Sequence, residues 1–277
     1  KTKNINVINN AKHSLLSCFN AILKRLFALR RKVVNQGVPQ QPKRILVIRN
    51  DNLGDFVISL PAIEAITNKY PEAKIDLVVP PGLTNLARRY LKYNRCYEIN
   101  LLSPINIIGY LSVIMKMRAI KYEITIDLRG DIRNNILMWL LNAPCRLGSG
   151  FNGGEYLLTN EYVYSQNDQL LERVEKAVQL LGIGQARSMP SIRLDNRKFN
   201  QLPSLAPRKT AGLYLFAQQS SKSLSLEQYL AIIDILNKKG YIIVLMGKNN
   251  PNAIDLDQAL LKHKPGIINM FGQTSID

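Results

Sequence analysis

Histidine is scarce in this chain: two in 277 residues, His13 and His263, which fall in different terminal segments. That speaks against a Ser-His-Asp triad or a histidine-rich metal site, and leaves acid–base work to Asp, Glu or Lys. Cysteine is scarce too. Cys18, Cys96 and Cys145 are far apart, odd in number and without a Cys-x-x-Cys pair. This excludes a disulfide scaffold and a zinc ribbon, and suits a reducing cytosol. No stretch reaches the roughly 18 uninterrupted apolar residues of a membrane-spanning helix. The longest runs, 105–115 and 136–141, read as buried helix. Residues 1–44 lack any acidic side chain.

What is present is a two-domain length of globular composition, 46% apolar and 21% charged. The net charge of +17 is unevenly spread. Residues 1–44 hold ten Lys or Arg, whereas the other 233 carry 27 basic against 20 acidic residues. Within the basic segment Leu15, Phe19, Ile22, Leu26, Leu29 and Val33 recur at spacings of three and four. They form one stripe of a helix, with Lys24 and Arg31 opposite and Arg25 and Lys32 on the flank. Such a helix either lies on an anionic bilayer surface or packs its stripe on the protein's own body. The Gly/Pro/Gln segment 35–42 then breaks the chain.

From Arg44 onward short apolar strands alternate with helical stretches. Strands are expected at 44–49, 74–79, 97–101, 122–128 and, as a short final one, 145–148. Helices are expected at about 55–69, 83–92, 105–117 and 132–141, with Pro61 either kinking the first or marking its first turn. A helix at 169–181 follows a Gly-rich stretch, and the Pro-containing segment 189–209 crosses into a second domain. There strands at 212–217, 241–246 and 267–270 alternate with helices at 226–239 and 252–262. The pattern is α/β with doubly wound parallel sheets. Its domains are 1–43 (basic helix and linker), 44–187 and 188–277. Thr274-Ser275-Ile276-Asp277 closes on a helix N-cap signature, and the chain starts at Lys1 rather than Met, so continuation is expected at both ends.

Ligands of open parallel sheets sit outside the carboxyl ends of the strands. Three loops there carry chemistry. The first, Arg49-Asn50-Asp51-Asn52-Leu53-Gly54-Asp55, has one glycine and not the Gly-x-Gly-x-x-Gly of dinucleotide sites. Asp55 is either a helix cap, the reading the loop alone favours, or a general base. The second, Asp127-Leu128-Arg129-Gly130-Asp131, is either a solvated rim or a set of partners for the hydroxyls of a polar acceptor. The third, Ala217-Gln218-Gln219-Ser220-Ser221-Lys222, precedes a helix and can cradle a phosphate, or merely cap that helix.

Together these blocks resemble bacterial glycosyltransferase family 9, the heptosyltransferase-like enzymes. The resemblance rests on Ile45 to Asp55 continuing into Leu60-Pro61-Ala62-Ile63 and Tyr70-Pro71, then on Tyr122 to Asp131, Arg146-Leu147-Gly148, Glu172-Arg173 through Gly182, and the loop with Lys222. It covers about residues 44–277. It implies the GT-B arrangement, two Rossmann-like domains across a cleft, and transfer of a sugar with inversion from a nucleotide diphosphate sugar, by family default an ADP-linked heptose. The acceptor would be a lipopolysaccharide-core-like or other lipid-linked glycan. The resemblance makes Asp55 the catalytic base and Lys222, with Gln218, Ser220 and Ser221, the donor diphosphate contact. Asn52, Gly54, Asp127, Arg129 and Asp131 would face the acceptor. This chain has Leu224-Ser225 where the family usually has Trp-Pro, and Gln169 where a His is common. The family's Asp-x-Gly-x-x-His-type donor motif would lie past Asp277.

No cofactor and no metal is expected, since no Asp-x-Asp pair is placed to hold one. Expected partners are the sugar nucleotide, the glycan acceptor and an anionic membrane surface met through residues 12–34, for a monomer on the cytoplasmic face of a bacterial inner membrane. Nucleic acid is not expected, because the basic segment lacks the aromatic interleaving of single-strand binders. A non-catalytic nucleotide-binding protein of the same fold is the alternative. Each Lys or Arg near an anionic surface contributes about 1 kcal/mol, screened over a Debye length of ~8 Å. The full chain is therefore expected to bind anionic vesicles in a salt-sensitive way and to lose that binding when residues 1–42 are deleted. Sedimentation with vesicles of matched neutral and anionic composition measures it; equal binding to both would remove the electrostatic part.

Overall fold

The computed structural model describes residues 37–99, 107–186, 209–215, 223–247, 266–270, 272 and 273. The basic helix and the second-domain helix expected at 252–262 lie outside the described residues, as does the N-cap signature at 274–277. The chain divides into two compact units, Lys1–Arg193 and Leu194–Asp277.

In the first unit the strands are β1 (Arg44–Ile48), β2 (Lys74–Val79), β3 (Arg95–Glu98), β4 (Ile124–Asp127), β5 (Cys145–Gly148) and β6 (Asn160–Glu161). The helices are α1 (Leu53–Lys69), α2 (Thr84–Tyr90), α3 (Ile107–Ala119), α4 (Ile132–Leu140) and α5 (Leu170–Gln179). Every strand pair is parallel, and the sheet order is β3-β2-β1-β4-β5-β6. This is the doubly wound order with its turning point between β1 and β4.

The continuous apolar run of β1 is explained by cover on both faces. Ile45 and Val47 join a core with Phe56, Leu60 and Ile63 of α1, Leu86 of α2 and Val174 and Val178 of α5. Leu46 and Ile48 face the opposite way, into a core with Ile114 and Met117 of α3 and Leu137 and Met138 of α4. The second core holds one buried acid. Asp76 of β2, 1% exposed, accepts hydrogen bonds from the Tyr122 hydroxyl at 2.6 Å and from Asn94 Nδ2 at 2.7 Å.

Several expectations change. α1 begins at Leu53 rather than near Asp55, and Pro61 lies inside it, neither starting it nor ending it. Pro61 has no N–H to offer the carbonyl four residues back. Seven α1 residues, Pro61 among them, are nevertheless buried, and packing outweighs the lost bond. β5 is not the last strand: β6 follows it after a 3₁₀ turn at Glu155–Leu157. Two polar residues carry no hydrophobic alternation by which to read a strand. β3 starts two residues earlier than expected, at Arg95.

The second unit has β7 (Thr210–Tyr214), α6 (Leu226–Lys238), β8 (Ile242–Met246) and β9 (Ile267–Asn269), in parallel order β7-β8-β9. Tyr229 and Ile233 of α6 pack on Ile243 and Leu245. Ser225 caps α6, its Oγ accepting from Gln228 N while Gln228 Oε1 accepts from Ser225 N. This capping box occupies the position where the resemblance expected Pro. Among the described residues no helix is long and apolar enough to cross a membrane.

Removing the phenol hydroxyl from Tyr122 leaves Asp76 buried with one partner fewer. Tyr122→Phe is expected to cost about 1–3 kcal/mol, the range for a buried acceptor deprived of its donor. Urea unfolding measures it; an unchanged midpoint would mean water replaces the hydroxyl.

Candidate active site

The loops after β1 and β4 leave the sheet side by side at its turning point. Arg49 joins them. It follows β1 directly, and its guanidinium is buried, 1% exposed. Arg49 Nε donates to the Asp55 carbonyl at 3.2 Å and Nη1 to the Leu128 carbonyl at 2.6 Å. Nη2 lies 3.9 Å from Asp51 Oδ2 and makes no hydrogen bond. Burial pushes the Arg49 pKa down, and the carboxylates of Asp51, Asp55 and Asp127 push back.

Asp55 is the third residue of α1 and half-buried. The N-cap position belongs to Asn52, whose side chain makes no cap bond. Asn52 Nδ2 instead stands 3.5 Å from Asp55 Oδ2. Burial raises the Asp55 pKa above the usual carboxylate value, Asp51 adds to the rise, and Arg49 and Asn52 oppose it. A half-exposed carboxyl with a raised pKa at a strand–helix loop is a candidate for a functional site, because perturbed carboxyls cluster at such sites. Gly54, beside it, is exposed and has no need to be glycine: a Cβ there would meet nothing within 4 Å.

The second loop is no solvated rim. Asp127 is completely buried. Its Oδ1 accepts from Arg129 N at 3.0 Å and Asn134 Nδ2 at 2.9 Å, and its Oδ2 from Gly130 N at 2.8 Å and Asp131 N at 3.0 Å. Burial pushes the Asp127 carboxyl up, and these hydrogen bonds pull against it. Gly130 has φ +76, and a Cβ there would lie 2.8 Å from the Tyr164 hydroxyl. Asp131 caps α4, accepting from Arg133 N, and Arg133 Nε and Nη2 bind both its oxygens. Burial raises the Asp131 pKa, but the Arg133 contacts outweigh it and hold the carboxyl below the usual value. Arg129 reaches back to the first loop: Nη1 donates to the Asn50 carbonyl at 2.6 Å, and Nε stands 3.5 Å from Asp51 Oδ2.

The structure thus brings Asn52, Gly54, Asp55, Arg129 and Asp131 together, with Asp127 beneath them. Gln218, Ser220, Ser221 and Lys222 lie outside the described residues. Sequence reasoning missed Arg49, Asp51, Asn134 and Arg133 as site-building residues. For Arg49 a signal existed, since a cation directly after a strand covered on both faces must find buried partners.

The sequence comparison decides the family. A model described as "Glycosyltransferase family 9 (heptosyltransferase)" matches residues 110–277, more than half of the chain. The chain belongs to glycosyltransferase family 9. Within that family it is 21% identical over 215 residues to lipopolysaccharide heptosyltransferase 3 of Escherichia coli. The match covers 73% of this chain and 63% of that relative, so the chain spans less than two thirds of the relative's length. Its fold is similar to that of a family 9 glycosyl transferase from Veillonella parvula DSM 2008, with TM-score 0.69 and 17% identity over 86% of this chain and 72% of the other. It is also similar to E. coli ADP-heptose LPS heptosyltransferase II, at 0.66 and 19% over 84% and 74%. E. coli heptosyltransferase WaaC with ADP-2-deoxy-2-fluoro heptose gives 0.64 and 17% over 82% and 75%. At these identities the likeness is one of fold, and it places the family 9 chain in the GT-B class. The matched segment begins after Asp55 and contains Asp127, Arg129 and Asp131.

A carboxyl whose pKa is raised by folding binds its proton more tightly folded than unfolded. Stability then falls as pH rises from about 3.9, the unfolded value, through the folded one. Asp55→Asn is therefore expected to raise the denaturation midpoint at neutral pH, with the gain vanishing below about pH 4. Guanidinium melts across that range check it. A loss of stability in the variant would restore Asp55 to a helix-stabilising role.

Proposed function

We propose that this family 9 chain transfers a heptose-type sugar from an ADP-linked donor to a lipopolysaccharide-core-like glycan, with inversion and without a metal. The position of Asp55 carries this reading: a raised-pKa carboxyl at the turning point of a doubly wound sheet, two residues inside α1 rather than at its N-cap, and left open by Gly54. Asp55 takes the proton of the acceptor hydroxyl as its oxygen attacks the anomeric carbon. The bond to the diphosphate oxygen breaks on the opposite side, and the nucleoside diphosphate leaves.

Lys222, with Gln218, Ser220 and Ser221, meets the charge of the leaving diphosphate, the electrostatic part a metal plays in other transferases. Metal independence is supported by the pairing around Asp55, where Asp51 faces Arg129 and Asp131 faces Arg133. Guanidinium groups hold the places a cation would take. Arg129, Asp131 and Asn52 orient the acceptor, and Asp127 keeps their loop in shape. A lipid-linked acceptor is met at the cytoplasmic face of the membrane, with residues 12–34 as the contact.

The test uses the full chain with ADP-heptose and a lipopolysaccharide-core acceptor. Asp55→Asn is expected to lower kcat by about 10²–10⁴, the range for a lost acid–base group, with donor affinity unchanged. Full turnover in that variant would falsify the assignment of the base, and no sugar transfer by the wild-type chain would remove the activity.

A further inference from the structure

We propose that Phe151 is a shelf on which a pyranose ring of the acceptor glycan stacks, a subsite separate from the charged groups around Asp55. It rests on the glycosyl-transfer reading above. Phe151 follows β5, so it stands at the same carboxyl edge of the sheet as the loops after β1 and β4. It is 41% exposed. One exposed aromatic is ordinary on a protein surface; this one is the outer member of a built column. Its ring stacks on Tyr164 with centroids 4.5 Å apart, and Tyr164 stacks on Tyr162 at 5.9 Å. Tyr164 and Tyr162 are buried, at 6% and 3% exposed. The Arg173 guanidinium carbon sits 4.8 Å over the Tyr164 ring.

The column is fastened to the site by its polar edges. The Tyr164 hydroxyl donates to the Arg129 carbonyl at 3.3 Å and the Tyr162 hydroxyl to the Asp127 carbonyl at 3.1 Å. The loop bearing Phe151 is fastened as well. Asn152 Nδ2 donates to the Gly130 carbonyl at 2.9 Å, and Asn152 forms a parallel bridge with Asp131. Buried Asn135 donates from Nδ2 to the carbonyls of Ser149 and Gly153, each at 3.0 Å. An apolar ring is thereby held still, one side covered by Tyr164, beside the loop of Arg129 and Asp131.

That arrangement suits a sugar. A pyranose presents a face of C–H bonds whose partial positive charge meets the negative face of an aromatic ring. Its equatorial hydroxyls point sideways, where the adjoining residue Asn152, fastened to the Gly130 carbonyl, supplies a polar edge beside the ring. A preorganised ring costs no side-chain ordering on binding. Phe151 then contributes to acceptor affinity and ring selection, and not to proton transfer.

Binding can be read without transfer. The full wild-type chain and its Phe151→Ala, Phe151→Leu and Phe151→Trp variants are titrated calorimetrically with deacylated lipopolysaccharide core oligosaccharide, in the absence of donor. Wild type and Phe151→Trp are expected to bind alike, while Phe151→Ala and Phe151→Leu bind about 5–10-fold more weakly, the scale of a lost stacking contact. Phe151→Leu keeps apolar bulk at the position, so the comparison holds even if the Ala variant is unstable. Wild-type-like binding by the Leu variant overturns the shelf, as does no binding by wild type. Transfer of heptose from ADP-heptose is assayed separately. A chain that transfers but binds independently of residue 151 loses the shelf alone, and one that binds through Phe151 without transferring loses the transfer reading alone.

Discussion

A guanidinium buried at the end of the first strand governs how this edge of the sheet is built. Taking a cation out of water costs several kcal/mol unless acceptors surround it. Arg49 can find them only if the start of α1 and the exit of β4 come close, because it bonds one carbonyl from each. The same cation works against the burial that dominates the character of Asp55. Burial and the neighbouring Asp51 favour the protonated carboxyl, whereas the guanidinium behind it favours the anion. The opposition leaves a carboxyl that is raised and still able to ionise. A neutral side chain at position 49 would lose both carbonyl bonds and the guanidinium's pull on Asp55, leaving the loops joined by Arg129 and the strand pairing.

Asp127 is the anionic counterpart, and it works by shape. Three backbone N–H groups and an amide converge on one buried carboxylate, which fixes the turn from β4 into α4. Gly130 takes the left-handed conformation at the tightest point and leaves room for the Tyr164 hydroxyl. With the turn fixed, Arg129 is aimed at the first loop and Asp131 at Arg133. Burying Asp127 therefore positions the partly exposed charges, which is a different task from meeting a ligand.

Local periodicity makes most of the first sheet legible in the sequence. The apolar run at 45–48, the largely apolar strand at 75–79 interrupted by Asp76, and the helical stripes between them encode a sheet covered on both faces, and the loop from Arg49 to Asp55 follows from strand direction. What is not legible is non-local. Arg49 and Leu128 are 79 residues apart, and nothing in either segment alone announces their bond. β6 is too short and polar to show a period, so Tyr162 and Tyr164 beyond it could not be assigned to the second loop. The capping box at Ser225 is visible as a Ser-x-x-Gln spacing, yet comparison with the usual Trp-Pro draws attention away from it.

Gly54 is where fold and function separate most clearly. A glycine within a helix costs up to about 1 kcal/mol relative to alanine. Elsewhere in this site the cost has an internal cause: at Gly130 both the backbone conformation and the Tyr164 hydroxyl forbid a side chain. At Gly54 neither applies, since the backbone is in the ordinary region and the space above is empty. Asn52, at the N-cap of the same helix, likewise leaves its capping capacity unused. Two local preferences are thus set aside at the start of α1, next to a carboxyl whose own pKa is held away from its resting value. Folding alone would favour alanine at the one and a side-chain cap at the other. Departures of this kind, clustered on one loop at the turning point of the sheet, are what a site kept for something other than folding would leave behind, and they agree with the role proposed for Asp55.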